Sequence, residues 1–83
     1  MGVYMVERYA AGLDAPGVRR MGRLAARGGS VRYLGSALVP GDGASLCFFE
    51  SASAPEVERA ARGAGGPVDR VVEVERVAAE GAP

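Results

Sequence analysis

SVRYLGSALVPGDGASLCFFE, residues Ser30 to Glu50, reads as two apolar strands joined by a Pro-Gly-Asp-Gly turn. Pro40, Gly41, Asp42 and Gly43 supply the fixed and positive-φ backbone positions of a tight reversal, and Asp-Gly is a strong short hairpin signal. Either two-residue loop, Gly41-Asp42 or Asp42-Gly43, pairs odd positions before the turn with even positions after it. One face then carries Tyr33, Gly35, Ala37, Val39, Leu46, Phe48 and Glu50. The other carries Arg32, Leu34, Ser36, Leu38, Cys47 and Phe49. A loop longer by one residue would exchange these partners. Both faces are mainly apolar, as in a sheet covered on both sides. Helices supply one cover, and the other falls to a ligand, a loop or a second subunit.

The flanks supply those helices and two further strands. Val3 to Tyr9, VYMVERY, is β-branched and aromatic and predicts a strand whose Glu7 and Arg8 point to opposite faces. Asp14 is a suitable N-cap, with Pro16 in the first turn, for a helix running to about Arg27 and stopped by Gly28-Gly29. Leu13, Val18, Met21, Leu24 and Ala25 form its apolar stripe, and Arg19, Arg20, Arg23 and Arg27 take the other side. Gly17 and Gly22 each weaken this helix by ~1 kcal/mol relative to Ala. After the hairpin, Ser53 to Glu56 is a capping box that opens a second helix over about residues 54–64, which buries Val57, Ala60 and Ala61. Gly65-Gly66-Pro67 ends it, and Arg70 to Val77, RVVEVERV, is the last strand. The order strand, helix, strand, strand, helix, strand predicts a ferredoxin-like βαββαβ plait of the α+β class, with antiparallel sheet order 4-1-3-2. Residues 1–77 form one domain and 78–83 a frayed tail.

Composition removes several chemistries. Of the 83 residues, none is His, Lys, Asn, Gln, Thr, Ile or Trp. This usage matches GC-rich coding. Without histidine there is no Ser-His-Asp or Cys-His nucleophile system. A single cysteine excludes an internal disulfide and a cysteine-rich zinc site. Ten basic and ten acidic residues balance, so no global field draws nucleic acid. LCFFE lacks the exposed aromatic pattern with which plait domains stack RNA bases. MGVYMVERYAAG has no basic segment followed by a long apolar run, which predicts neither a signal peptide nor a membrane span and makes the cytoplasm the expected compartment.

Several segments together are similar to a known family: YMVER at the start, VRYLGSALVPGDG and LCFFE in the middle, and PEVERAARGAGGPVDRVVEV near the end. In this order they resemble the small actinobacterial nickel-binding-protein family of ferredoxin-fold proteins of unknown function. The resemblance implies a subunit that dimerises and a bound nickel ion. The family pattern carries a histidine in the first helix, where this chain has Arg20 and Met21. Glu7, Cys47 and Glu50 are the positions of that pattern that remain.

From the residues alone no metal or cofactor is expected, since a soft-metal site needs imidazoles or several thiolates. Cys47, set mid-strand, reads as a small buried hydrophobe. General acid–base chemistry stays open to a carboxyl or phenol. The expected catalytic residues are Glu7, Glu50 and Tyr33, with Arg32 stabilising developing negative charge; Arg8, Tyr4, Tyr9 and Glu73 are further candidates. The plainer reading of each Glu and Arg is a solvated or cross-strand ion pair. The chain is therefore expected to be a homodimer that binds a small organic ligand and acts as a cyclase- or isomerase-type enzyme. The alternatives are the nickel-binding role and a non-catalytic structural dimer.

Overall fold

The structure, a computed structural model, describes residues 1–80. Strands β1 (Gly2–Tyr9), β2 (Val31–Val39), β3 (Ala44–Ser51) and β4 (Arg70–Val74) form one sheet, and helices α1 (Ala15–Ala26) and α2 (Ala54–Gly63) cross one of its faces. The strand order is β2-β3-β1-β4 with every pair antiparallel, an α+β arrangement consistent with a ferredoxin-like plait. Residues 78–80 of the expected tail lie beyond β4, and 81–83 fall outside the described residues. Among the described residues, no helix is long and apolar enough to cross a membrane.

Local chemistry sets the ends of the elements. The Asp14 carboxylate accepts from the Gly17 N–H at 2.8 Å and caps α1. Ser53 caps α2 through the Glu56 N–H, but the Glu56 carboxylate turns to the Ser51 hydroxyl at 3.2 Å, so only half of the capping box forms. The hairpin closes on the pair Val39–Ala44 through a single 3-10 turn, with Gly43 in the left-handed region (φ 62°). This is the register of a Gly41-Asp42 loop. β4 stops at Val74, three residues short of the expected end, because its partner Val3 is next to the first residue of β1 and the antiparallel ladder runs out.

The inner face of the sheet carries Tyr4, Val6 and Arg8 from β1 and Ser45, Cys47, Phe49 and Ser51 from β3, all buried. Val18 and Ala25 of α1 and Val57 and Ala61 of α2 close on them to form the core. Val3, Met5, Glu7, Leu46, Phe48, Glu50, Val72 and Val74 alternate onto the outer face, which no helix covers.

The structure departs from the sequence pattern in α1 and in β2. Leu24 is 37% exposed, and the core position on its helix belongs to Gly22. In β2, Leu34 is an extra residue between the pairs Tyr33–Phe49 and Gly35–Phe48, a β-bulge that Gly35 permits by adopting φ 129°. The residues after the bulge keep the expected pairing, and those before it are shifted by one. Tyr33 therefore leaves the face of Glu50 for the inner face, while Arg32 joins Glu50 on the outer one.

Tyr33 then lies directly against α1. Its ring packs on Phe49 with centroids 5.5 Å apart, and a Cβ added at Gly22 would overlap the ring. Gly22 is thus the seat of Tyr33, and its cost in helix propensity is offset by that packing. Gly22→Ala should lower the urea midpoint, because overpacking of roughly 1–3 kcal/mol outweighs a helix gain of ~1 kcal/mol. In a Tyr33→Ala background the same change should become stabilising. Stabilisation in both backgrounds would show that the ring moves aside freely.

Candidate functional site

The expected site residues divide between the two faces. Glu7 is at the β4 end of the outer face. Its carboxylate accepts from the Tyr9 hydroxyl at 3.1 Å and pairs with the Arg70 Nε at 3.3 Å, and its side chain is only 19% exposed. Asp69 secures this corner: its N–H donates to the Glu7 carbonyl at 2.9 Å, and its carboxylate accepts from the Tyr9 N–H at 2.8 Å. The Tyr9 phenol is raised above its usual value, first by its hydrogen bond to Glu7 and then by that carboxylate's charge.

Glu50 and Arg32 form an ion pair at 3.6 Å on the same face. Glu7 pairs with Leu46 and Glu50 with Val3, so four residues of β1, about 13 Å at strand rise, separate the two acids. Between them lie Val3, Met5, Leu46 and Phe48. At the margin, Arg76 and Val77, beyond β4, reach Leu34 and Phe48 and line a cavity of about 340 Å³. The outer face thus presents an apolar strip with an acid–base cluster at each end, and Tyr33 has no part in it.

Tyr33 belongs to a polar chain on the inner face. Its hydroxyl lies 2.6 Å from Ser36 Oγ, and the Ser36 hydroxyl donates to Cys47 Sγ at 3.0 Å. With the serine proton directed to sulfur, the tyrosine proton is directed to the serine. This chain opens onto a groove of about 470 Å³ between α1 and β2, lined also by Val18, Arg19, Arg23 and Leu38.

Arg8, a candidate charge stabiliser by sequence, holds a structural position instead. It is 2% exposed, and its guanidinium donates to the carbonyls of Ala61 (2.9 Å), Gly65 (3.0 Å) and Pro67 (2.8 Å). Those carbonyls form the end of α2 and its exit loop, where the helix dipole favours a cation. Burial lowers the Arg8 pKa, and the nearby Cys47 and Asp69 oppose the shift. A guanidinium remains charged under these conditions.

Among the described residues, no three His, Cys, Asp or Glu side chains gather as metal ligands would. The positions retained from the nickel-binding pattern are dispersed: Cys47 is buried on the inner face, and Glu7 and Glu50 stand at opposite ends of the outer one. Sequence reasoning missed Arg8 as a helix clamp, the seat at Gly22 and the groove beside Arg19 and Arg23. The alternation Tyr4, Val6, Arg8 held the signal for the first, since it puts a cation on a core-facing position.

No family model matches the chain, and no curated protein matches it. The crystal structure of SCO4226 from Streptomyces coelicolor A3(2) matches it with a TM-score of 0.75 at 21% identity, covering 92% of this chain and 99% of that one. The two share a fold, and the neighbour is actinobacterial.

Removing the Arg8 fork should be severely destabilising, since each charge-assisted bond contributes roughly 1.5–3 kcal/mol. Arg8→Met should lower the urea midpoint strongly, and Arg8→Lys should recover only part, because an ammonium cannot reproduce the planar fork. Full recovery by lysine would mean that charge alone suffices.

The Cys47 thiol is raised above its usual 9.0, mainly by burial, with the Ser36 hydrogen bond and Arg8 opposing. The folded state holds this proton more tightly than the unfolded chain. Its contribution to stability is therefore complete below the unfolded value and lost as pH rises through the folded one. As pH rises above about 9, the wild type should lose stability more steeply than Cys47→Ala in urea titrations. Parallel losses would remove the thiol as the cause.

Proposed function

We propose that the protein is a homodimeric plait that binds a small organic ligand against its outer sheet face and performs acid–base chemistry of the isomerase or cyclase kind. The observation that carries this reading is the outer face itself. A sheet covered on one side normally turns polar residues to water on the other. Here Val3, Met5, Leu46, Phe48, Val72 and Val74 face outward, the two ion pairs of the strands stand at the two ends, and Arg76 lies at the margin. The two strand ion pairs each balance in charge, which suits a second copy of the same surface in an isologous dimer.

Glu7 is the group best suited to move a proton. It is the more enclosed of the two acids, with a side-chain exposure of 19% against 35% for Glu50, and it is held by Tyr9 and Arg70. In the proposed reaction its carboxylate takes a proton from a carbon next to a carbonyl and returns it to another atom of the same ligand. Arginine stabilises the enolate in between, and no outside oxidant or reductant is needed. Arg70 is the adjacent cation; Arg32 with Glu50 serves the far end of the ligand. The kinship with the actinobacterial nickel-binding-protein family is supported by the shared fold and by the source of the matched structure. Nickel binding draws no support from Glu7, Cys47 and Glu50, which lie on two faces of the sheet.

Native mass spectrometry of untagged protein should find twice the 8.5 kDa chain mass. Phe48→Glu should yield a folded monomer. Glu7→Gln should keep the dimer and the fold while lowering turnover by about 10²-fold or more in an assay on any ligand that co-purifies. A wild type that stays monomeric at millimolar concentration would sink the dimer, and an unaffected Glu7→Gln variant would sink the acid–base role. A dimer without ligand or turnover would leave a structural part only.

A further inference from the structure

A second site lies on the opposite side of the sheet and is independent of the outer-face reading. We infer that the groove between α1 and β2 binds a small organic anion with a flat apolar body and a hydrogen-bond donor, its acidic group held by Arg19 and Arg23.

Arg19 and Arg23 are four residues apart on α1, so their side chains stand one above the other at the rim of the groove. Neither has an acidic partner among the described residues, whose ion pairs engage only Arg32, Arg62 and Arg70. Like charges at this spacing repel within a helix. An anion bridging both guanidiniums relieves that repulsion and meets the fork geometry suited to carboxylates and phosphates.

The floor defines the rest of the ligand. Val18 and Leu38 are apolar and partly or fully buried, and the Tyr33 ring, held in place by Gly22 and Phe49, forms a flat wall. A volume of about 470 Å³ falls within the range of small-molecule pockets. The direction of the hydroxyl chain selects the ligand's polar edge. Ser36 donates to Cys47 and Tyr33 to Ser36, so the phenolic oxygen offers only lone pairs to the groove. The matching group is a hydroxyl or N–H on the ligand. The site thus favours a hydroxy- or amino-bearing aromatic acid over a bare anion.

The test is an NMR titration of isotope-labelled wild-type protein with 4-hydroxybenzoate, benzoate, phenyl phosphate and neutral 4-hydroxybenzamide. At least one anion should bind saturably at about millimolar concentration or tighter, shifting Val18, Tyr33, Ser36 and Leu38. Tighter binding of phenyl phosphate than of benzoate would assign the head group to a phosphate, and the reverse to a carboxylate; either supports the site. Arg19→Ala and Arg23→Ala should each weaken binding about tenfold. Arg27→Ala, which removes the same charge at the C-cap of α1, outside the groove, should leave it within about twofold. Tyr33→Phe should reduce affinity for 4-hydroxybenzoate to that for benzoate. No anion binding up to about 20 mM would overturn the site. So would equal losses in Arg27→Ala and Arg23→Ala, equal binding of the neutral amide, or shifts confined to the outer face of α1. An RNA oligomer that binds through Arg20 and Arg27 in preference to Arg19 and Arg23 would likewise replace the small anion.

Discussion

Arg8 puts a full charge on the inner face of the sheet among Val6, Cys47 and Ala61, and a charge in such a place is tolerated only with close partners. Its partners are the carbonyl of Ala61 in the last turn of α2, where intrahelical donors run out, and those of Gly65 and Pro67 in the loop that follows. α2 must therefore terminate level with the far end of β1. Gly65 (φ 92°) and Gly66 (φ 77°) provide the left-handed backbone with which the chain turns there. The chain then passes Pro67 and meets β1 at Asp69, whose two hydrogen bonds to Glu7 and Tyr9 start the β1–β4 ladder. The helix end, the loop and the register of the last strand all answer to one guanidinium.

A second constraint is the single extra residue at Leu34. A one-residue shift in a strand exchanges faces, and here it exchanges them only for the part of β2 before the bulge. Arg32 is delivered to Glu50, Tyr33 to Phe49 and α1, and Ser36, beyond the bulge, remains opposite Cys47. Without the bulge, Tyr33 would lie outward beside Glu50, and the α1–β2 groove would lose its aromatic wall. The bulge thus keeps the outer face free of Tyr33 and gives the inner groove its hydroxyl chain.

The order of elements, the strand order and both helices were readable from the sequence because each rests on local signals that agree. These are the alternating apolar strands, the caps at Asp14 and Ser53, and the Gly-Gly stops. The hairpin pairing was readable as far as Gly35. Beyond it the reading failed, because Leu34-Gly35 looks like ordinary strand sequence and a bulge has no composition of its own. Gly22 was misread for a related reason: propensity records what glycine costs a helix and nothing of the ring that a distant strand brings against it. Of the candidate site, Glu7, Glu50 and Arg32 were chosen for their polarity within apolar strands; the hairpin reading set Arg32 on the face opposite Glu50, and the bulge brings it across. Their separation along β1, and the partners Tyr9 and Arg70, depended on the β1–β4 register, which is fixed by loop contacts of Arg8 and Asp69 that no local pattern encodes.

A chain of this size buries only ~60–65% of its unfolded surface, so its stability rests on the inner core and the Arg8 clamp. The two outer ion pairs are partly solvated and add little. Nothing on the inner face requires Val3, Met5, Phe48 or Val72 to be apolar, because they point away from both helices. Polar residues there would leave the core intact and would suit water better, and an exposed apolar sheet is an aggregation hazard. The hydrophobic pattern on this side is therefore unnecessary for folding the single chain and unfavourable in water. It supports the proposed reading of this face as a surface that meets another one, with the partly enclosed carboxylate of Glu7 at its edge.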